Sequence, residues 1–182
     1  MDIAKIEEGV RLILEGLGED LSREGIRQTP ERVAGMFAEI LGQTGKLLEV
    51  EAGISEEIAD DLIIVKNIPF YSMCEHHLLP FFGTVHLAYV PNNNRVAGFS
   101  SLTRLVDNAS QRLQLQERLT HQIADSLMSG LQAQGVLVVV EAQQLCVSMR
   151  GTRKDRVRTV TQAIRGEISL DRLRMSGFLL KE

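Results

Sequence analysis

The sequence has no tryptophan, and aromatic residues make up only 4% of its 182 positions, so leucine, isoleucine and valine must fill any core. No apolar run approaches the length needed to cross a bilayer, which argues against a membrane protein. There is no long basic run, and the formal net charge is −4. Non-specific nucleic-acid binding, which depends on neutralising many phosphates, is therefore not expected, although a local arginine cluster can still hold a small polyanion. Only two cysteines occur, Cys74 and Cys146, 72 positions apart. The first residues, MDIAKIEEG, are charged and amphipathic, unlike a secretion signal, and a cytoplasmic protein is expected. In that reducing compartment a structural disulfide is not expected, and two buried, inert thiols are the plain reading of the pair.

What is present suffices for a real core: 44% of the residues are hydrophobic. Ile3, Ile6, Val10, Ile13, Leu14 and Leu17 follow helical spacing and predict a first helix ending near Gly18. Thr29 followed by Pro30 reads as a cap and first turn of a second helix that runs to Gly42. Residues 44–60 are acidic and weakly periodic, a connector with a short helix. From residue 61 the pattern changes. Strands are predicted at 62–68, 84–90, 136–142 and 157–164, with 145–149 continuing the third, and helices at 101–111, at 116–132 and from Ser169. The order predicts an α+β fold, an antiparallel sheet with helices on one face and an N-terminal helical arm. The boundary is placed between a helical region at 1–60 and an α+β domain at 61–182.

The segment Cys74-Glu75-His76-His77 puts a thiolate and an imidazole three positions apart on a tight loop, a spacing that lets both reach one zinc ion. Cys146 is a candidate third ligand on a distant strand. Three protein ligands leave a fourth position for water, the catalytic type of site. A lone Cys-x-x-His is common by chance, and Glu75 competes as a fourth ligand. His76, beside a ligand, is placed for proton transfer, its unperturbed pKa being near neutrality. His86 and His121 read as structural.

The stretches TPERVAGMF, FYSMCEHHLLPFFGTVHLAYVP, SQRLQLQERLTHQI and LCVSMRGTRKD together resemble the GTP cyclohydrolase I family, from about Gly25 to the end of the chain. The resemblance implies a tunnelling-type fold assembled as a toroidal homodecamer, with sites at subunit interfaces. It implies hydrolytic opening of the guanine imidazole ring of GTP at carbon 8, release of formate, and closure to 7,8-dihydroneopterin triphosphate. Matched position by position, it makes Cys74, His77 and Cys146 the zinc ligands and His76 the acid/base. Gln116 and Glu117 become the guanine-recognising pair, a carboxylate being able to accept from two guanine N–H groups. Arg150, Arg104, Arg32 and Ser100 fall where the family holds the triphosphate, for which guanidinium forks are suited.

Two positions depart from the family pattern. Gln144 stands where the family has a histidine that joins the later proton transfers, and an amide does not titrate near neutrality. Ser101 stands where a phosphate-binding lysine is common, and Arg153, Lys154, Arg156, Arg158 and Arg165 crowd a stretch usually rich in Ser and Thr. These changes touch the later chemistry and the phosphate grip and leave the zinc ligands intact. The expected activity is therefore that of a divergent paralogue acting on GTP or a close guanine nucleotide. Two alternatives stay open: an enzyme that stops at a ring-opened formamidopyrimidine or takes another guanine nucleotide, and a non-catalytic nucleotide- or pterin-binding regulator.

Overall fold

The computed structural model describes residues 1–55 and 61–178. Two compact units share the chain, Met1–Thr44 and Gly45–Glu182. In the first, the carboxylate of Asp2 accepts the Lys5 N–H at 3.1 Å and caps helix α1 (Ile3–Gly16), which packs on α2 (Thr29–Ile40). Helix α2 starts one residue before the predicted position. Thr29 is already helical, Pro30 follows in the first turn where a missing N–H costs nothing, and no side chain caps the end.

The second unit begins earlier than the boundary at residue 60 read from the sequence. Strand β1 (Ala52–Ile54) pairs antiparallel with β4 (Arg95–Ala97), so part of the expected connector belongs to this unit. Within its described residues the connector holds this strand and no helix, and residues 56–60 lie outside the description.

Strands β2 (Ile63–Cys74), β3 (Pro80–Val90), β5 (Leu113–Gln114), β6 (Gly135–Gln144) and β7 (Thr159–Gly166) form one sheet in the order β5-β2-β3-β6-β7. All pairings are antiparallel except the short β2–β5 contact. Alternation decides the two faces. Val85, Leu87 and Tyr89 of β3 and Val136, Val138 and Val140 of β6 point to one side, against α3 (Phe99–Ser110) and α4 (Gln116–Leu131). The helix α4 stripe Leu119, Ile123, Leu127 and Leu131 is fully buried there, each side chain worth about 1.5–3 kcal/mol relative to exposure. Tyr89, also buried, accepts the Ala97 N–H at 3.1 Å, so its hydroxyl is satisfied. The opposite face is covered in part by the short α6 (Leu170–Met175), whose Leu173 meets Ala88 and Leu137. This is the α+β arrangement read from the sequence, with its two long helices on one face. Among the described residues no helix is long and apolar enough to cross a membrane.

At Gly83, opposite Ala142, strand β3 leaves no room for a side chain against β6. A Cβ there would stand 1.9 Å from the Glu141 carbonyl oxygen and 2.8 Å from the Ala142 Cα. Both obstacles are backbone of a central strand, which cannot retreat without breaking its pairing. Gly83→Ala is expected to lower stability by about 1–3 kcal/mol. A melting temperature equal to that of the parent protein would show that β6 can yield.

Candidate metal centre

Strand β2 ends at Cys74, and the chain reverses through Glu75, His76, His77, Leu78 and Leu79 into β3. Cys74 donates its N–H to the Leu79 carbonyl, and Leu78 donates to the Cys74 carbonyl, both at 2.9 Å. The second bond closes a single helix-like turn, ended by Leu78 at a left-handed φ of 50°. Residues three apart on such a turn share a side, which brings His77 back over Cys74.

Cys146 arrives from β6. The sequence predicts it on a strand, and the structure corrects this: Leu145–Ser148 forms one helical turn, α5. Strand β3 supplies its last partner at Phe81, opposite Gln144, so the chain beyond has no backbone to pair with. It satisfies itself instead, Met149 donating to the Leu145 carbonyl at 3.0 Å. Since β3 lies between β2 and β6 in the sheet, the ends of β2 and β6 fall at the same edge. Donor atoms of Cys74, His77 and Cys146 lie within 4.8 Å of one another. Cys74 is buried, Cys146 half-buried and His77 exposed. Burial pushes the Cys146 thiol up, and the adjacent Cys74 adds to the rise. Two thiolates side by side need a cation, so this donor set fits a metal ion.

A cavity of about 490 Å³ opens beside the cluster. His76, Gln116, Glu117 and Gln144 line it together with Cys74 and Cys146. Glu117 and His76 are exposed side chains at its rim, whereas Gln116 is buried. The Gln116 amide nitrogen donates to the carbonyls of Val140 (3.0 Å) and Thr159 (2.9 Å), and its oxygen accepts from Gln144 Nε2 at 2.7 Å. Both ends of this side chain are therefore committed to protein partners. The same bonds orient Gln144: its nitrogen faces Gln116, leaving its carbonyl oxygen as an acceptor at the cavity wall.

Arg150 donates from Nη1 to His77 Nε2 at 2.9 Å. Ser100 and Arg104 lie on α3, away from the cavity lining, and Arg104 is paired with Glu51 at 3.0 Å. Arg32 belongs to the first unit, where it donates to the Gln28 side chain at 2.8 Å. Within the second unit the structure thus gathers eight of the residues singled out in the sequence and leaves Ser100 and Arg104 outside the cavity lining. Ser101 is buried, its hydroxyl accepting the Glu51 N–H at 2.9 Å, so it serves the fold. Arg153, Lys154, Arg156 and Arg158 are exposed. His86 sits buried in β3, accepting the Asn67 N–H at 3.3 Å; burial lowers its pKa and keeps it neutral. His121 is exposed, 3.3 Å from Arg165.

Glu75 does not turn toward the cluster. Arg118 grips it with both terminal nitrogens, 2.5 and 3.0 Å from its two oxygens, and that hydrogen bonding holds the carboxyl below its ordinary pKa. Sequence spacing gave no sign of this fork, because the two residues are 43 positions apart.

A family model described as GTP cyclohydrolase I matches residues 6–180. The GTP cyclohydrolase 1 of Clostridium perfringens (strain 13 / Type A) is 51% identical over 172 residues, covering 94% of this chain and 92% of its own. That of Desulforamulus reducens is 53% identical over 167 residues, covering 91% and 89%. That of Geobacillus kaustophilus is 50% identical over 173 residues, covering 94% and 92%. Among solved structures, an archaeosine synthase QueF-Like in the apo form aligns over 62% of this chain and 100% of its own, at 16% identity and a TM-score of 0.48. With nearly its whole length matched and about half of its residues shared with those relatives, the chain belongs to the GTP cyclohydrolase I family of hydrolases.

Proposed function

We propose that this chain holds a zinc ion with Cys74, His77 and Cys146 and hydrolytically opens the guanine imidazole ring of GTP, releasing formate and closing the product to 7,8-dihydroneopterin triphosphate. The observation that carries the reading is the convergence of two thiols and one imidazole within 4.8 Å, beside a cavity lined by an acid/base candidate and a carboxylate. Thiolates with an imidazole favour zinc over the harder divalent cations. Bound there, zinc supplies the acidity that makes a water nucleophilic near neutral pH.

The protein's own residues do the remaining work. His76, on the ligand loop beside His77, lines the cavity and moves protons to and from the reacting ring. Glu117, in the first turn of α4, accepts from guanine N–H groups, and the helix N-terminus adds N–H groups without intrahelical partners. Gln116 supports this recognition by fixing the helix start against β6 and β7. An imidazole that holds a metal through either ring nitrogen has no lone pair left for Arg150. The guanidinium is then free for an anionic partner, in keeping with a phosphate role. The run Arg150, Arg153, Lys154, Arg156 and Arg158 adds positive charge at this edge, none of it ion-paired among the described residues.

Arg32, Ser100 and Arg104 join a site, on this reading, by assembly of copies of the chain into a ring, a homodecamer with sites between subunits. On the same reading the enzyme is cytoplasmic. A second reading is favoured by one observation, the amide at Gln144: the reaction then halts at a ring-opened formamidopyrimidine. Incubating zinc-loaded protein with GTP and identifying products by mass spectrometry separates the two. Formate and a pterin that fluoresces after oxidation are expected. A species one water heavier than GTP that accumulates would replace the full reaction by the halted one, and an untouched nucleotide would leave only a binding protein.

A further inference from the structure

The first turn of α4 bonds to a chain neighbour of each half of the ligand set, Glu75 and Gln144. On one side, Arg118 holds Glu75 through the two-point fork, and Glu75 lies between Cys74 and the histidines. Backbone contacts run alongside: Leu113 and Gln114 pair with Met73 and Cys74, and Glu75 donates its N–H to the Gln114 carbonyl at 3.1 Å. On the other side, two residues earlier in the helix, Gln116 accepts from Gln144, which precedes Cys146 by two residues. Glu117, between these arms, lines the cavity.

We propose that Arg118 is a positioning residue, which through Glu75 sets where the loop presents His76 and His77 to Cys146 and Glu117. The inference rests on reading Cys74, His77 and Cys146 as a metal site. Both partners are part-exposed, where a one-point ion pair contributes little. A planar guanidinium gripping both carboxylate oxygens fixes direction as well as distance, which a loop carrying two functional histidines requires. The helix N-terminus that recognises the base and the loop that carries the ligands thereby move as one body.

The test is a double-mutant cycle with Arg118→Ala, Glu75→Ala and both together, on zinc-loaded protein. Release of zinc to a chelator is expected to quicken about tenfold in each single variant, the scale for loss of a residue that supports metal ligands. The double variant should release zinc no faster than either single one, because each acts through the other. In cobalt-substituted protein the visible absorption bands should shift in both single variants, reporting altered ligand geometry, while far-UV circular dichroism is unchanged. Additive effects in the double variant, or release at the parental rate with unshifted bands, would overturn the proposal. So would full recovery in Arg118→Lys, which keeps the charge without the fork. A parent protein that takes up no zinc would bring down the functional reading itself. One that holds zinc while Arg118→Ala behaves identically brings down only this inference.

Discussion

Replacing Cys146 with serine is expected to strip the protein of zinc and reduce turnover of GTP by about a thousandfold or more. The size of the loss follows from the water's acidity, because metal coordination lowers its pKa from far above neutrality to about 7. Cys146 is the better choice of the two thiols. It is half-buried on the one-turn helix α5, whereas Cys74 belongs to the main apolar core, where substitution would mix lost packing with lost coordination. Serine keeps the volume and a polar atom but is a poor ligand at neutral pH, its hydroxyl remaining protonated. The measurements are zinc per chain by elemental analysis and formate release from GTP. Stoichiometric zinc retained alongside parental turnover would remove the basis of the functional assignment.

The second large effect is a gain. Gln144→His is expected to speed formation of the closed pterin by about tenfold or more, within the range that a positioned acid/base contributes. Zinc content should change little, since Gln144 is outside the candidate ligand set and its side chain donates to Gln116. The geometry explains why the exchange is tolerable. Gln116 is locked by its own nitrogen on Val140 and Thr159, so it offers only an oxygen to whatever stands at 144. Both an amide and a neutral imidazole can donate to that oxygen while presenting an acceptor to the cavity. Only the imidazole can also take up and return a proton. No gain on substitution would mean that another group already performs this transfer, or that the natural substrate does not require it.

Most elements of the second unit were readable from spacing, because their burial is periodic. The α4 stripe and the alternation in β3 and β6 announce a helix and strands whose apolar faces meet. The ligand trio was readable for a different reason: Cys74 and His77 are local, and there is only one other cysteine in the chain. What could not be read depends on pairing between distant segments. Cys146 continues an apolar run that looks like strand, and only the end of β3 at that edge turns it into helix. Strand β1 is a three-residue partner of β4 with no periodicity of its own, so the acidic stretch around it looked like a connector. Gln116 seemed free to face a ligand, yet its amide is fixed by carbonyls from two strands, 24 and 43 positions further on. Ser101 looked like a missing charge and proves to be a buried acceptor for a backbone N–H.

The place of β3 between the two ligand-bearing strands also governs when, during the life of the chain, the cluster can exist. A ribosome that has released Cys74 and His77 has still to deliver Cys146, and β6 must then dock along β3 from Val90–Gly135 to Phe81–Gln144 before the third donor arrives. Until that long-range docking is complete, a newly made chain offers metal only a two-donor foothold. The ion therefore rewards the finished sheet and gives little help to its precursors.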